Sequence, residues 1–442
     1  MEIGVMRRLK GLPATAACLV FSTILLSGCS SMAEGVTRAL MGSDVAKQDT
    51  RQCSIRGPAF KGLSEMMAHQ TGPSEAGKHL RDLKILMVHG IGTHIPGYST
   101  RLQEHLARSL DLDVVSDRPK QIALQQPLLF PNEKLGTVRA TRYSNHEDTR
   151  SLVFYELTWS PISEPEKRAI AYDTSGEYAF RRAQLNQVMK GFVNTHMPDP
   201  LIYLGDAREK IQAAVGQAFC WMVAYDWDGL GLNSSAACPL NLLTPQKLFR
   251  DDYVFISHSL GSRIVIDSLQ RLAEVTSKEG ADSRLAGWTV PQDFVEAMRQ
   301  KEFTLFMFAN QLSLLQLGRN PPTVTNEIDQ YCPVDAEKRD KRFVKRLNII
   351  GFSDPNDILS WAVPPNYTHE YMDSRLCPTM DNVLINIAKV DNFFGAIQIA
   401  NPAAAHADYE ADERVISLVA QGIGEGDTAP LIKDRCEWLE TR

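Results

Sequence analysis

The sequence predicts an α/β protein with a mostly parallel central sheet and helices on both faces. Two observations carry this. The runs Lys84–Val88, Leu152–Trp159, Tyr253–Ile256, Phe303–Phe308 and Leu347–Gly351 are nearly continuous in apolar residues rather than alternating, as strands buried on both faces are. Between them the apolar spacing turns helical, and strands alternating with helices build parallel sheets. With 44% hydrophobic and 23% charged residues over 442 positions, the composition excludes a disordered, collagen-like or coiled-coil chain. The net charge of −6, with no stripe of basic residues, makes nucleic acid an unexpected partner.

At the N-terminus Arg7, Arg8 and Lys10 precede an apolar run from Leu12 to Leu26 that ends in Leu26-Ser27-Gly28-Cys29. A basic start and a short apolar stretch make an export signal, and the run is short for a membrane span. The ending resembles the lipobox of bacterial lipoproteins. That resemblance implies cleavage before Cys29 and lipidation of Cys29, and Ser30 in place of Asp favours the outer membrane. Loss of residues 1–28 removes Arg7, Arg8, Lys10 and Glu2, leaving the mature chain two charges more negative than the whole. Attachment is then expected from the acyl chains rather than from anionic head groups.

Residues 29–82 read as the lipidated cysteine and a tether, because Gly, Ser, Lys, Glu and Gln follow one another without a period. The folded domain is expected over 83–442, with an insertion at about 99–250 that is helical from Glu164 to about Tyr225 and covers the functional edge of the sheet. A further strand is expected at Val383–Val390 and a last helix at Glu413–Gln421, with Gly422 just beyond its end. Six cysteines remain besides Cys18 and Cys29. An even number in an exported chain points to disulfides, and of fifteen connectivities sequence locality favours Cys220 with Cys238, Cys332 with Cys377, and Cys53 with Cys436.

The strongest internal motif is Ile256-Ser257-His258-Ser259-Leu260-Gly261-Ser262, set between a strand and a helix. A sharp strand-to-helix turn brings the helix close to the strand, so the positions two before and two after the central residue must be small. Ser257 and Gly261 are. The segment resembles the nucleophile elbow of the α/β-hydrolase superfamily, G-x-S-x-G, with Ser257 in place of the first Gly.

The resemblance implies an α/β-hydrolase fold, a helical insertion before the elbow, and Ser259 as nucleophile. It further implies an oxyanion loop after an earlier strand, where Val88-His89-Gly90-Ile91-Gly92-Thr93-His94 stands. The expected donors are the N–H of Leu260 and that of Ile91, with Gly92 as the alternative, while His89 is structural. The acid and the base should follow later strands, in the order Ser, acid, His. Asp354 and Asp357 both qualify as the acid; the pattern Pro355-Asn356-Asp357-Ile358-Leu359 favours Asp357, with Asp354 forming a turn. His406, with Tyr409 three residues on, is the expected base in a loop before the final helix. His94, His258 and His369 are weaker competitors, and His258 reads as a packing residue beside the elbow.

The function implied is serine-dependent hydrolysis of a carboxylic ester, lipase- or esterase-like, with a lipid or acylated substrate and a membrane reached through the N-terminal anchor. A thioesterase or amidase with the same triad, or a non-catalytic envelope lipoprotein that binds a ligand or partner, are the alternatives. No metal site or cofactor is expected, since no H-E-x-x-H or P-loop pattern occurs.

Overall fold

The computed structural model describes residues 53–68, 81–174, 182–277, 290–393, 397–424 and 428–439. Residues 1–52, with the signal and Cys29, lie outside them. A 12-stranded sheet runs through the molecule. Its strands are β1 (Cys53–Arg56), β2 (Leu83–Val88), β3 (Asp113–Val114), β4 (Lys120–Gln125), β5 (Lys134–Ser144), β6 (Ser151–Thr158), β7 (Asn233–Ala236), β8 (Asp252–His258), β9 (Glu302–Phe308), β10 (Arg346–Ser353), β11 (Pro378–Ile385) and β12 (Cys436–Leu439). The order is β12-β1-β11-β10-β9-β8-β2-β6-β5-β4-β7, with β3 pairing β5.

The six strands from β6 to β11 in that order are mutually parallel. Every residue of β2 and β6 is buried, which is why these runs carry almost no polar alternation. Side chains leave the sheet on opposite faces in turn, so Leu86 and Val88 enter one core while Leu83, Ile85 and Met87 enter the other. Among the helices are α1 (Leu63–Ala68), α2 (Thr100–Ser109), α3 (Glu164–Ala171), α4 (Gln184–His196), α5 (Pro198–Leu204), α6 (Ala207–Ala224), α7 (Leu260–Ser277), α8 (Pro402–Ala407) and α9 (Glu413–Gln421). Ile211, Val215 and Ala218 of α6 and Ile264 and Val265 of α7 fill the first core, and Leu102 and Leu106 of α2 with Val415 and Leu418 of α9 fill the second.

Several expectations are corrected. The sheet is mostly parallel, as expected, but mixed: β5 is antiparallel to β6 and β4 to β5, and β1 is antiparallel to β11. The strands β3, β4 and β5 in the first part of the expected insertion therefore extend the sheet instead of covering it, while the stretch from α3 to α6 is helical as expected. The body starts earlier than Leu83, because β1 enters the sheet and α1 buries Leu63 and Met67. The strand expected at Val383–Val390 is β11 ending at Ile385, and Val390–Phe393 pairs instead with Ile397–Ala400. Helix α9 ends where Gly422 takes φ 73, yet it is followed by another helix, Pro430–Arg435, and by β12.

Three cysteine pairs lie at disulfide distance: Cys53 with Cys436, Cys220 with Cys238, and Cys332 with Cys377, with Cα separations of 4.5, 6.0 and 5.4 Å. They fit an oxidising, non-cytoplasmic compartment. Among the described residues no helix is long and apolar enough to cross a membrane.

Candidate active site

The register of the sheet brings the separate motifs together. Val88 at the end of β2 pairs with Ser257 in β8, and Phe308 at the end of β9 pairs with His258 on one side and Phe352 on the other. The loops after β2, β8 and β10 thus open at the same end of the parallel strands. In open α/β sheets that end is where ligands bind.

Ser259 sits between β8 and α7 with φ 55, a left-handed backbone unusual for a residue with a side chain. Its N–H donates to the Phe308 carbonyl at 2.8 Å, and its own carbonyl accepts the Ser262 N–H at 3.0 Å. The small residues are required by contact. A Cβ on Gly261 would run into the Val88 carbonyl oxygen, and Ser257, fully buried, donates its hydroxyl to Ser262 Oγ at 3.3 Å. Gly90 faces Ser259 itself, since a Cβ there would stand 2.6 Å from Ser259 Cβ.

Three side chains form a hydrogen-bonded chain. His406 Nδ1 lies 2.8 Å from Asp357 Oδ2 and its Nε2 3.0 Å from Ser259 Oγ. A carboxylate can only accept, so Nδ1 carries the proton and Nε2 is left to accept from the serine hydroxyl. Asp357 is held in turn by the Leu359 N–H, which donates to its Oδ1 at 2.9 Å. His406 stands on the short helix α8 and not in a loop, because Pro402 at its first turn and the Asn401 side chain, accepting the N–H of Ala403 and Ala404, cap the turn.

Asp354 does not reach His406. Its Oδ1 accepts the Asn356 N–H at 2.7 Å, and its Oδ2 accepts those of Ile387 and Ala388 at 2.7 and 2.9 Å, the work of a turn former. Tyr409 accepts the Asp354 N–H at 2.7 Å and stacks on Phe308.

The glycine-rich loop is set by the insertion. His89 is fully enclosed between Trp159 and His94, and its Nε2 accepts the N–H of Trp159 at 3.2 Å. Burial depresses its pKa well below the ordinary histidine value, and that of His94 to about 4. Both stay neutral scaffolding. The Leu260 N–H, at the first turn of α7, has no acceptor within its helix, and Ile91 follows Gly90, the residue that faces Ser259. Gly92 is corrected: its N–H donates to Asp199 Oδ2 at 2.6 Å, so it is not free to serve an oxyanion.

Sequence reasoning missed one group of residues here. Asp199, fully buried in the first turn of α5, also pairs with Lys167 of α3 at 2.9 Å, while Thr93 donates to Glu164 at 2.7 Å. These contacts fasten the helical insertion onto the loop, and His196 closes against Gly92. Ser259 is fully buried. His258, read from the sequence as a packing residue beside the elbow, also donates its Nε2–H to the His406 carbonyl at 2.7 Å. His369 lies exposed on the helix Tyr367–Tyr371. Among the described residues no group of His, Cys, Asp or Glu is arranged to hold a metal.

Set against known protein families, curated proteins and solved structures, the chain has no match. What the fold and the site define is an α/β protein with a mixed sheet that carries a Ser–His–Asp chain at the ends of its parallel strands.

Proposed function

We propose that the protein is a serine-dependent carboxylic ester hydrolase of the α/β-hydrolase class, tethered to the cell envelope through a lipid on Cys29 and acting on a lipid or acylated substrate. The observation that carries the reading is the unbroken chain from Asp357 through His406 to Ser259. The positive φ of Ser259 and the order Ser, Asp, His along the chain support it further.

The chemistry follows from these groups. As Ser259 Oγ attacks the ester carbonyl carbon, its proton passes to His406 Nε2, while Asp357 holds the imidazole and stabilises its positive charge. The carbonyl π electrons move to oxygen, and the Leu260 and Ile91 N–H groups are the donors for that oxyanion. One such donor contributes about 2.7 to 4 kcal/mol in enzymes of this kind. Collapse breaks the C–O bond, with the His406 proton going to the departing alcohol. A water molecule, deprotonated by the same histidine, then releases the acid and restores Ser259. Because Ser259 is fully buried, substrate entry requires part of its cover to move.

The test is turnover of p-nitrophenyl esters of increasing acyl length by the wild-type protein and by Ser259→Ala. Turnover confined to the wild type supports the reading, and equal rates for the two proteins contradict it.

A further inference from the structure

On the face of α7 that meets the insertion, one carboxylate is opposed by three guanidinium groups. Asp267, fully buried two turns beyond Ser259, pairs with Arg263 at 2.7 Å, Arg319 at 2.8 Å and Arg208 at 3.2 Å, and it accepts the Tyr203 hydroxyl at 2.8 Å. Among the described residues no other carboxylate lies within 4.0 Å of these arginines, whose remaining partners, Gln316 and Tyr367 on Arg263, are neutral. The cluster therefore carries two positive charges in excess.

A structural ion pair needs one arginine, and buried charge without a counter-charge is costly. Here the excess is enclosed. The side chain of Arg263 is 2% exposed and that of Arg319 12%, and Arg263 Nε, Arg319 Nη1 and Arg208 Nε are buried without a hydrogen-bond acceptor. Burial and then the neighbouring Arg263 hold the Arg319 guanidinium below the usual arginine range. Arg208, 40% exposed, marks the side open to solvent.

We propose that Arg208, Arg319 and Arg263 form a binding site for a phosphate group, approached from the Arg208 side. Phosphate matches the site in two ways: its charge of about −1.5 to −2 at neutral pH offsets the excess, and its oxygens accept from planar guanidinium forks. The site is independent of the ester-hydrolase reading. Its occupancy reaches the candidate active site through α5, whose Tyr203 holds Asp267 and whose Asp199 holds Gly92.

The test is calorimetric titration of the mature, full-length protein with inorganic phosphate, at an ionic strength kept constant with chloride. Saturable binding is expected, weakened at least tenfold in both Arg319→Gln and Arg208→Gln, and kept in Ser259→Ala. Arg208→Gln is included because its half-exposed side chain can be lost without opening the core. No binding beyond the chloride response, or equal binding by a folded Arg208→Gln protein, overturns the site. A second arm separates the sources of the group, with ester turnover followed at rising phosphate. Competition with substrate assigns the site to a phosphate carried by the substrate, and a change in kcat without competition assigns it to a free ligand; both accord with the site.

Discussion

His258 Nε2 donates to the backbone carbonyl of His406 at 2.7 Å, so the residue next to Ser259 in sequence holds the main chain of the histidine that faces Ser259 in space. Its pKa is lowered to about 3, by burial first and then by His406, so it stays neutral and keeps this donor role above pH 5. His258→Phe retains a ring against Tyr409 and removes the hydrogen bond. A neutral hydrogen bond contributes about 0.5 to 1.5 kcal/mol, so kcat should fall about 2- to 12-fold with KM nearly unchanged. Steady-state kinetics on a soluble ester checks this, and an unaltered kcat would make His258 a packing residue only.

Asp354 and Asp357 lie three residues apart and should respond differently to the same change. Asp357→Asn disrupts the partner of His406 Nδ1 and should lower kcat by about 10⁴-fold at little cost in stability. Asp354→Asn disturbs the acceptors of Ile387 and Ala388, and should cost about 1 to 3 kcal/mol of stability with kcat within tenfold of the wild type. Kinetics and thermal melts on the two variants decide the assignment.

The backbone at Ser259 is itself a source of strain. At φ 55 a residue with a Cβ is disfavoured relative to glycine by about 1 kcal/mol. Ser259→Gly should therefore be more stable than Ser259→Ala by about that amount, both being inactive. Equal melting temperatures would remove the strain argument.

Asp381 is buried, one of its oxygens has no hydrogen-bond partner, and burial raises its pKa to about 7. Between about pH 4 and pH 7 the folded protein keeps a proton that the unfolded chain releases. The Asp381 contribution to stability thus falls as pH rises through that window and is level above it. Asp381→Asn should be more stable than the wild type at pH 8, by up to roughly 4 kcal/mol, with the difference vanishing near pH 4. Glu410, also raised to about 7, keeps the same slope in both proteins. Denaturant melts at the two pH values test this, and an equal difference at both would contradict it.

The parts legible in the sequence are those whose signal is local. β2, β8, β9 and β10 are buried on both faces, so their apolar runs stand out, and Ser259, Asp357 and His406 each follow such a run or a cap. β5 was illegible because Lys134, Arg139 and Arg142 interrupt its apolar residues. β1 has four residues and gains its place from pairing with β11 and β12 and from Cys436, all far along the chain. The Asp199–Lys167 pair and the His258–His406 bond join residues whose closeness is created by the fold alone, so neither left a pattern to read.

Activation of Ser259 by His406 is tested by reaction of the protein with a fluorophosphonate probe. One adduct per chain is expected, mapped by mass spectrometry to the peptide holding Ser259, absent in Ser259→Ala and formed far more slowly in Asp357→Asn. Folded protein that takes up no probe, or an adduct on another residue, would contradict it.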